Sequence, residues 1–218
     1  MRDRLSRAAD GPLRVVHRGP HSIYLDLDGW CLGVVAAAAA QVPCALRTTS
    51  LAGVSGDRAD IRGGVLHLDG IPVTVGRVVH VRVPALAASV VSPAPRARDA
   101  AWVARLVGAG DGLTPYGDDV LCGWLALHRA SGVATPDVEA AVRAQLHRTT
   151  LLSATLLDCA LHGEVLPEYA AYVAAIGTPH EPDTATALAA VGHTSGAGLL
   201  YGALLARAEL DHTNGVAA

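Results

Sequence analysis

The sequence predicts an α+β protein, with a β-rich N-terminal part over residues 1–92 followed by a helical C-terminal part over residues 96–218. Three observations carry that prediction. Short β-branched runs broken by glycine and aspartate fill the chain up to residue 83, helical spacing of alanine and leucine takes over beyond residue 96, and a proline-interrupted stretch, Ser92-Pro93-Ala94-Pro95, separates the two patterns.

Within the first part, residues 13–17, 22–27, 30–35, 65–68, 71–73 and 77–83 read as strands. Asp28-Gly29 and Asp69-Gly70 join neighbouring runs so closely that tight hairpins are expected, since both residue types tolerate the positive φ such turns require. The alternation His80-Val81-Arg82-Val83 predicts a strand with one solvated face, and the alanine run at 36–40 fits either a strand end or a short helix. In the second part, helices are expected over 96–107, 117–130, 136–148, 150–162, 167–176, 184–190 and 195–210, with Gly132, Gly163, Gly177 and Gly192 at or near their C-terminal ends.

Composition narrows the function classes. At 218 residues the chain can bury a sizeable core, and its 51% hydrophobic content, with no phenylalanine and one methionine, implies close packing of small side chains. A net charge of −3 without a basic block argues against nucleic acid or an anionic membrane surface as a partner. Cys31, Cys44, Cys122 and Cys159 form no C-x-x-C pair, so neither a zinc site nor a disulfide framework is expected, and buried thiols in a reducing compartment are. The N-terminus carries charges and no apolar segment behind them, and the longest apolar run, residues 30–40, is far shorter than the ~20 residues that span a bilayer. A cytoplasmic protein without cofactor or resident metal is expected.

Unusual chemistry concentrates in residues 106–125, LVGAGDGLTPYGDDVLCGWL. An apolar helix end runs into a loop with glycines at 108, 110, 112 and 117, and Asp118 and Asp119 then open a new apolar helix. Glycines allow close backbone approach, and the first turn of a helix offers N–H groups without intrahelical partners, so an anion is a natural guest. Thr114 adds a hydroxyl and Pro115 stiffens the turn. The competing reading is that the acids merely cap a helix and answer its dipole. A single cap needs one polar side chain, whereas this segment supplies a threonine, a tyrosine and three aspartates. Dinucleotide and P-loop templates do not fit: the third glycine of G-x-G-x-x-G is missing, no Gly-Lys-Ser/Thr follows, and the preceding segment reads as helix.

Two further polar segments precede helices. Gly192-His193-Thr194-Ser195-Gly196 could cap a helix or bind an oxyanion, but it lacks the spacing of a hydrolase nucleophile elbow, so Ser195 does not read as a nucleophile. Leu146-His147-Arg148-Thr149-Thr150 places two hydroxyls after an arginine, whose planar fork suits a carboxylate or phosphate, with a surface arginine beside a cap as the alternative. His17 and His21 are separated by Gly19-Pro20 and cannot share a helical zinc pair, and Asp158 with His162 reads as a local ion pair. One internal echo stands out: Gly117-x-x-x-Leu121-x-Gly123-x-Leu125 recurs as Gly196-x-x-x-Leu200-x-Gly202-x-Leu204. If it is structural, the two helices cross at their glycines and both loops meet at one end of the pair.

Together, Gly110-Asp-Gly-Leu-Thr-Pro-Tyr-Gly-Asp-Asp119, Arg148-Thr-Thr-Leu-Leu-Ser-Ala154 with downstream Gly163-Glu164, and Gly192-His-Thr-Ser-Gly196 resemble, in order and spacing, bacterial proteins of the domain of unknown function 2877 family. That family includes a subunit assigned to oxamate carbamoyltransferase in anaerobic allantoin degradation. The resemblance covers the C-terminal half and puts Gly112, Thr114, Gly117, Asp118, Asp119, Thr149, Ser153, His193, Thr194, Ser195 and Gly196 on family-typical positions. Tyr116 stands where the family usually has a small residue, and Ala197-Gly198 replace a bulky residue and an aspartate, which implies a changed pocket.

The expected function is an enzyme, or the substrate-binding subunit of one, acting on a small anionic carboxylate or carbamoyl compound, with carbamoyl transfer in nitrogen metabolism as the reaction the resemblance implies. Asp118 and Asp119 are the candidate catalytic residues, orienting an amine or acting as base. Gly110, Gly112, Thr114, Tyr116, Gly117, Arg148, Thr149, Thr150, His193, Thr194, Ser195 and Gly196 are the candidate substrate-binding residues. Other subunits of a carbamoyltransferase-type complex are the expected protein partners. The alternatives are a non-catalytic anion-binding or assembly protein and, more weakly, a Mg²⁺ site on the paired acids, for which the sequence offers no third ligand.

Overall fold

The computed structural model describes residues 2–86 and 98–211. The chain divides into two compact units, Met1–His80 and Val81–Ala218. The expected junction at 92–95 and the first positions of the helix expected from residue 96 lie outside the described residues.

The first unit opens with α1 (Arg2–Arg7) and continues through β1 (Gly11–Arg18), β2 (Ser22–Leu27), β3 (Trp30–Val35), β4 (Ala45–Arg47), β5 (Ala59–Arg62), β6 (Val65–Leu68) and β7 (Ile71–Pro72). They form one seven-stranded sheet in the order β4-β3-β2-β1-β5-β6-β7. Every pairing is antiparallel except β3 with β4. Both predicted hairpins are present: Asp28 and Gly29 have φ of 51° and 79°, Asp69 and Gly70 have 51° and 82°, the left-handed pair that a type I′ turn needs. Ile23, Leu25, Leu32, Ile61 and Leu66 fill its core. Asp69 does more than turn the chain, since its carboxylate accepts the N–H groups of Gly56, Asp57 and Arg58 at 2.7, 3.0 and 3.2 Å and so ties down the preceding loop.

The alternation at 77–83 does not produce a strand of this sheet. Val81 and Val83 instead pair with the turn after a helix, through Val165 N–H to Val81 O and Val83 N–H to Gly163 O, both 2.8 Å. A β-branched run forms a strand only where a partner edge of matching length exists, and here the partner is a turn one residue pair long. The alanines at 36–40 form a turn, and the short β4 and β5 were not visible as periodic runs.

The second unit is helical: α2 (Ala100–Leu106), α3 (Tyr116–Ser131), α4 (Pro136–Gln145), a 3-10 turn at Leu146–Arg148, α5 (Leu151–Leu161), α6 (Pro167–Ala175), α7 (Glu181–Ala189) and α8 (Ser195–Asp211). Asp99 caps α2 by accepting Trp102 N–H at 2.7 Å, Thr150 caps α5, and Gly132 closes α3 with φ 73°. α3 is the central helix, buried along nearly its whole length and packed against α8, α5 and α2. A hydrophobic stripe on one face is replaced by burial on all faces, as befits a helix enclosed by others. Midway along α3, Trp124 Nε1 donates to Glu209 of α8 at 2.9 Å, and this carboxylate, 8% exposed, also accepts Arg98 Nε at 2.6 Å.

The glycine echo corresponds to reciprocal packing. A Cβ on Gly123 would lie 2.0 Å from Leu199 O, and one on Gly202 would lie 2.0 Å from Val120 O, so each helix presses its backbone onto the other's glycine. The two helix starts match as well: Gly117 N–H donates to Ala109 O and abuts Leu106 O, while Gly196 N–H donates to Val191 O and abuts Leu188 O. A helix, a polar loop and a second helix thus occur twice, and because Thr114 meets Ser195 at the helix starts while Trp124 meets Glu209 further along, α3 and α8 run parallel with their N-termini at the same end.

Candidate functional site

From Gly117 on, the first turn of α3 is buried although it begins in a polar loop. Pro115 occupies the cap position without any side-chain cap bond, so neither aspartate is spent on capping this helix. Asp118, 1% exposed, accepts Gly108 N–H at 2.8 Å on one oxygen and the Ser153 hydroxyl at 2.7 Å, together with the Thr149 hydroxyl, on the other. It therefore fixes the glycine loop to the start of α5. Thr150 completes that junction: it accepts Ser153 N–H at 3.0 Å and donates to Leu113 O.

Asp119 is different. It is 4% exposed, and its Oδ2 is buried without a hydrogen-bond partner. Burial pushes its carboxyl up to about 7, the bond from the Ser195 hydroxyl works in the opposite direction, and the neighbouring Asp118 charge adds to the rise. Ser195 in turn lies 2.8 Å from Thr114 Oγ1. An ionised carboxylate can only accept, so with Asp119 charged Ser195 donates to it and Thr114 donates to Ser195. The line runs from a buried carboxyl to two half-buried hydroxyls.

All three polar segments are thereby brought to the shared N-terminal ends of α3, α5 and α8. Thr114, Ser195 and Asp119 form one polar group, and Asp118, Thr149, Thr150 and Ser153, which the resemblance marked, form a second, the two adjoining through the neighbouring Asp118 and Asp119 and together making a polar network. Other candidates have packing roles. The N–H groups of Gly117 and Gly196 are bonded to Ala109 and Val191 carbonyls, and Gly110, with φ 117°, backs onto Tyr116 N. Gly112, with φ 87°, and His193 and Thr194 are exposed beside the network. Arg148 is exposed, and its Nη1 donates to Ala104 O at 3.0 Å and to Gln145.

The sequence marked Gly198 only as a departure that implies a changed pocket, and the structure supplies its contact. A Cβ there would lie 2.8 Å from Asp119 Cβ and 3.3 Å from Tyr116 Cδ2, so the bare backbone of α8 covers Asp119. Tyr116 and Gly198, two positions that the resemblance set apart, thus lie against each other: ring bulk on one helix is matched by a missing side chain on the other. Among the described residues no group of three or more His, Cys, Asp or Glu is arranged to hold a metal ion, and no helix is long and apolar enough to cross a membrane. A concavity of about 490 Å³ in the first unit, edged by Asp57, Arg58, Asp60 and Arg62, includes none of the motif residues.

Residues 106–207 match the family described as oxamate carbamoyltransferase subunit AllH. The match runs from the end of α2 through α3 to residue 207 within α8, includes every residue of the network, and agrees with the resemblance carried by the three motifs. The family is a subunit family connected with carbamoyl transfer. No curated protein and no solved structure matches the chain.

Proposed function

We propose that this chain is an enzyme, or the substrate-binding subunit of one, acting on a small anionic carboxylate or carbamoyl compound, and that it serves carbamoyl transfer in cytoplasmic nitrogen metabolism beside other subunits of a carbamoyltransferase-type complex. The observation that supports it best is the buried, unpartnered Oδ2 of Asp119 beside the Ser195 and Thr114 hydroxyls, at a point where three helices begin. Native proteins rarely leave a buried carboxylate oxygen unpaired, and groups with perturbed proton affinity concentrate at functional sites. Helix N-termini favour the anionic end of a guest, while a carboxyl favours an amide, amine or ureido end. A guest carrying both ends fits best, with the donor end toward Asp119. Arg148 serves the anionic end only by leaving the Ala104 carbonyl.

The test is a thermal-shift panel with oxamate, carbamoyl phosphate, simple dicarboxylates, Mg²⁺ and neutral amides, run on the wild type, Asp119→Asn and Arg148→Ala. Stabilisation by oxamate or carbamoyl phosphate that weakens in Asp119→Asn supports the reading. Stabilisation by neutral amides alone, unchanged in both variants, would refute its electrostatics. The alternative of a non-catalytic assembly protein draws on Asp118, whose bonds are all spent on holding the fold.

A further inference from the structure

We infer that Asp119 is the group of this chain that exchanges a proton with the ligand, that it does so through Ser195 oriented by Thr114, and that Asp118 is a positioning residue. The inference rests on the reading that a ligand with a reacting nitrogen docks at the shared ends of α3 and α8. It separates two adjacent carboxylates that sequence alone treats as equivalent.

The separation follows from what each carboxylate already holds. Asp118 accepts three donors from the loop and from α5, leaving it no free role and much structure to lose. Asp119 has one oxygen with no partner and is covered by Gly198 of α8, and its hydroxyl neighbour is the half-buried Ser195. A proton can reach it through the Ser195 hydroxyl, which Thr114 orients by donating to it when Asp119 is ionised. The titratable neighbours are few. Asp118 adjoins it on α3, the buried Cys122 lies one turn further on, and Tyr116 stands across Gly198, while α8 faces it with Ser195 and Gly198.

For transfer from a carbamoyl donor with an oxyanion leaving group, such as carbamoyl phosphate, the balance is complete. The acceptor nitrogen forms its bond to the carbamoyl carbon, and the bond from that carbon to the leaving oxygen breaks with its electron pair on oxygen. The acceptor's N–H proton passes to Ser195 Oγ as the Ser195 proton passes to the Asp119 carboxylate. Release of that proton back along the line resets the site.

The first experiment needs no ligand: a pH titration of the full chain with ¹³C-labelled aspartate carboxyls, in the wild type, Asp119→Asn, Ser195→Ala and Thr114→Val. One aspartate is expected to titrate near pH 7, to vanish in Asp119→Asn and to move to higher pH in Ser195→Ala, because the hydroxyl supports the ionised form. A titration unmoved in Ser195→Ala, which retains the aspartate even if Asp119→Asn folds poorly, overturns the relay. The second experiment is calorimetry of oxamate and carbamoyl phosphate in two buffers of different ionisation heat. Buffer-dependent heat in the wild type that disappears in Asp119→Asn supports proton exchange, and buffer-independent heat overturns it. A relay seen by titration with neither probe binding would overturn the ligand reading, and with it the assignment of Asp119 as the ligand's proton partner.

Discussion

Thr114 Oγ1 and Ser195 Oγ lie 2.8 Å apart although 81 residues separate them in the chain. What brings them together is the parallel crossing of α3 and α8, in which Gly123 receives the backbone of Leu199 and Gly202 receives that of Val120. The loop before each helix is thus delivered to the same end, and the polar network is a consequence of glycine packing one to two turns further along the helices.

Gly123→Ala and Gly202→Ala should therefore each damage the site from within the core. An added Cβ would sit 2.0 Å from a carbonyl oxygen of the partner helix, so the helices must separate. A loss of about 3 kcal/mol or more is expected for each, larger than usual for overpacking because the obstacle is backbone rather than a side chain. Urea denaturation measures it. A change below about 0.5 kcal/mol, the range of an ordinary surface substitution, would contradict the crossing.

Asp118 should behave as a structural residue. Replacing it with alanine leaves Gly108 N–H and the hydroxyls of Thr149 and Ser153 without their acceptor, at a cost of about 3 kcal/mol or more. Asparagine restores one acceptor but turns an amide toward donors, so it should recover only part of that loss. The melting temperatures of the two variants decide the matter, and wild-type stability in Asp118→Ala would remove the residue from its assigned role.

Asp119 should make the fold less stable as pH rises. Its folded-state carboxyl sits at about 7, above the ordinary 3.8, so below about pH 4 both folded and unfolded forms are protonated and no penalty exists. Between about 4 and 7 the unfolded chain gives up this proton while the folded chain keeps it, and stability falls as pH rises through that window. The accumulated loss is on the order of a few kcal/mol at pH 8. Asp119→Asn, which mimics the protonated acid, should flatten that slope and be more stable than the wild type at pH 8. An Asn variant that is less stable at both pH 4 and pH 8 would contradict the account.

The sequence made some of this visible and hid the rest for physical reasons. The hairpins at Asp28-Gly29 and Asp69-Gly70, the helical second unit and the three polar segments were legible, because turn chemistry, periodicity and loop composition are local properties. The fate of residues 77–83 was not, since strand formation depends on a partner edge that no local pattern reveals. Nor was the difference between Asp118 and Asp119. They are neighbours of identical chemistry, and only the fold turns one toward Thr149 and Ser153 and the other toward Ser195. The repeated glycines did announce the helix crossing, yet the role of Gly198 emerged only from its contact with Asp119 and Tyr116.

The central claim, that a small anionic carboxylate or carbamoyl compound docks where the three polar segments converge, is tested most directly by titrating oxamate into the ¹⁵N-labelled protein and following every backbone amide. Saturable shifts concentrated in residues 110–119, 149–153 and 193–198, and their loss in Asp119→Asn, are expected. Saturable shifts confined to the N-terminal sheet or to α4 and α6, with those segments unmoved, would contradict it.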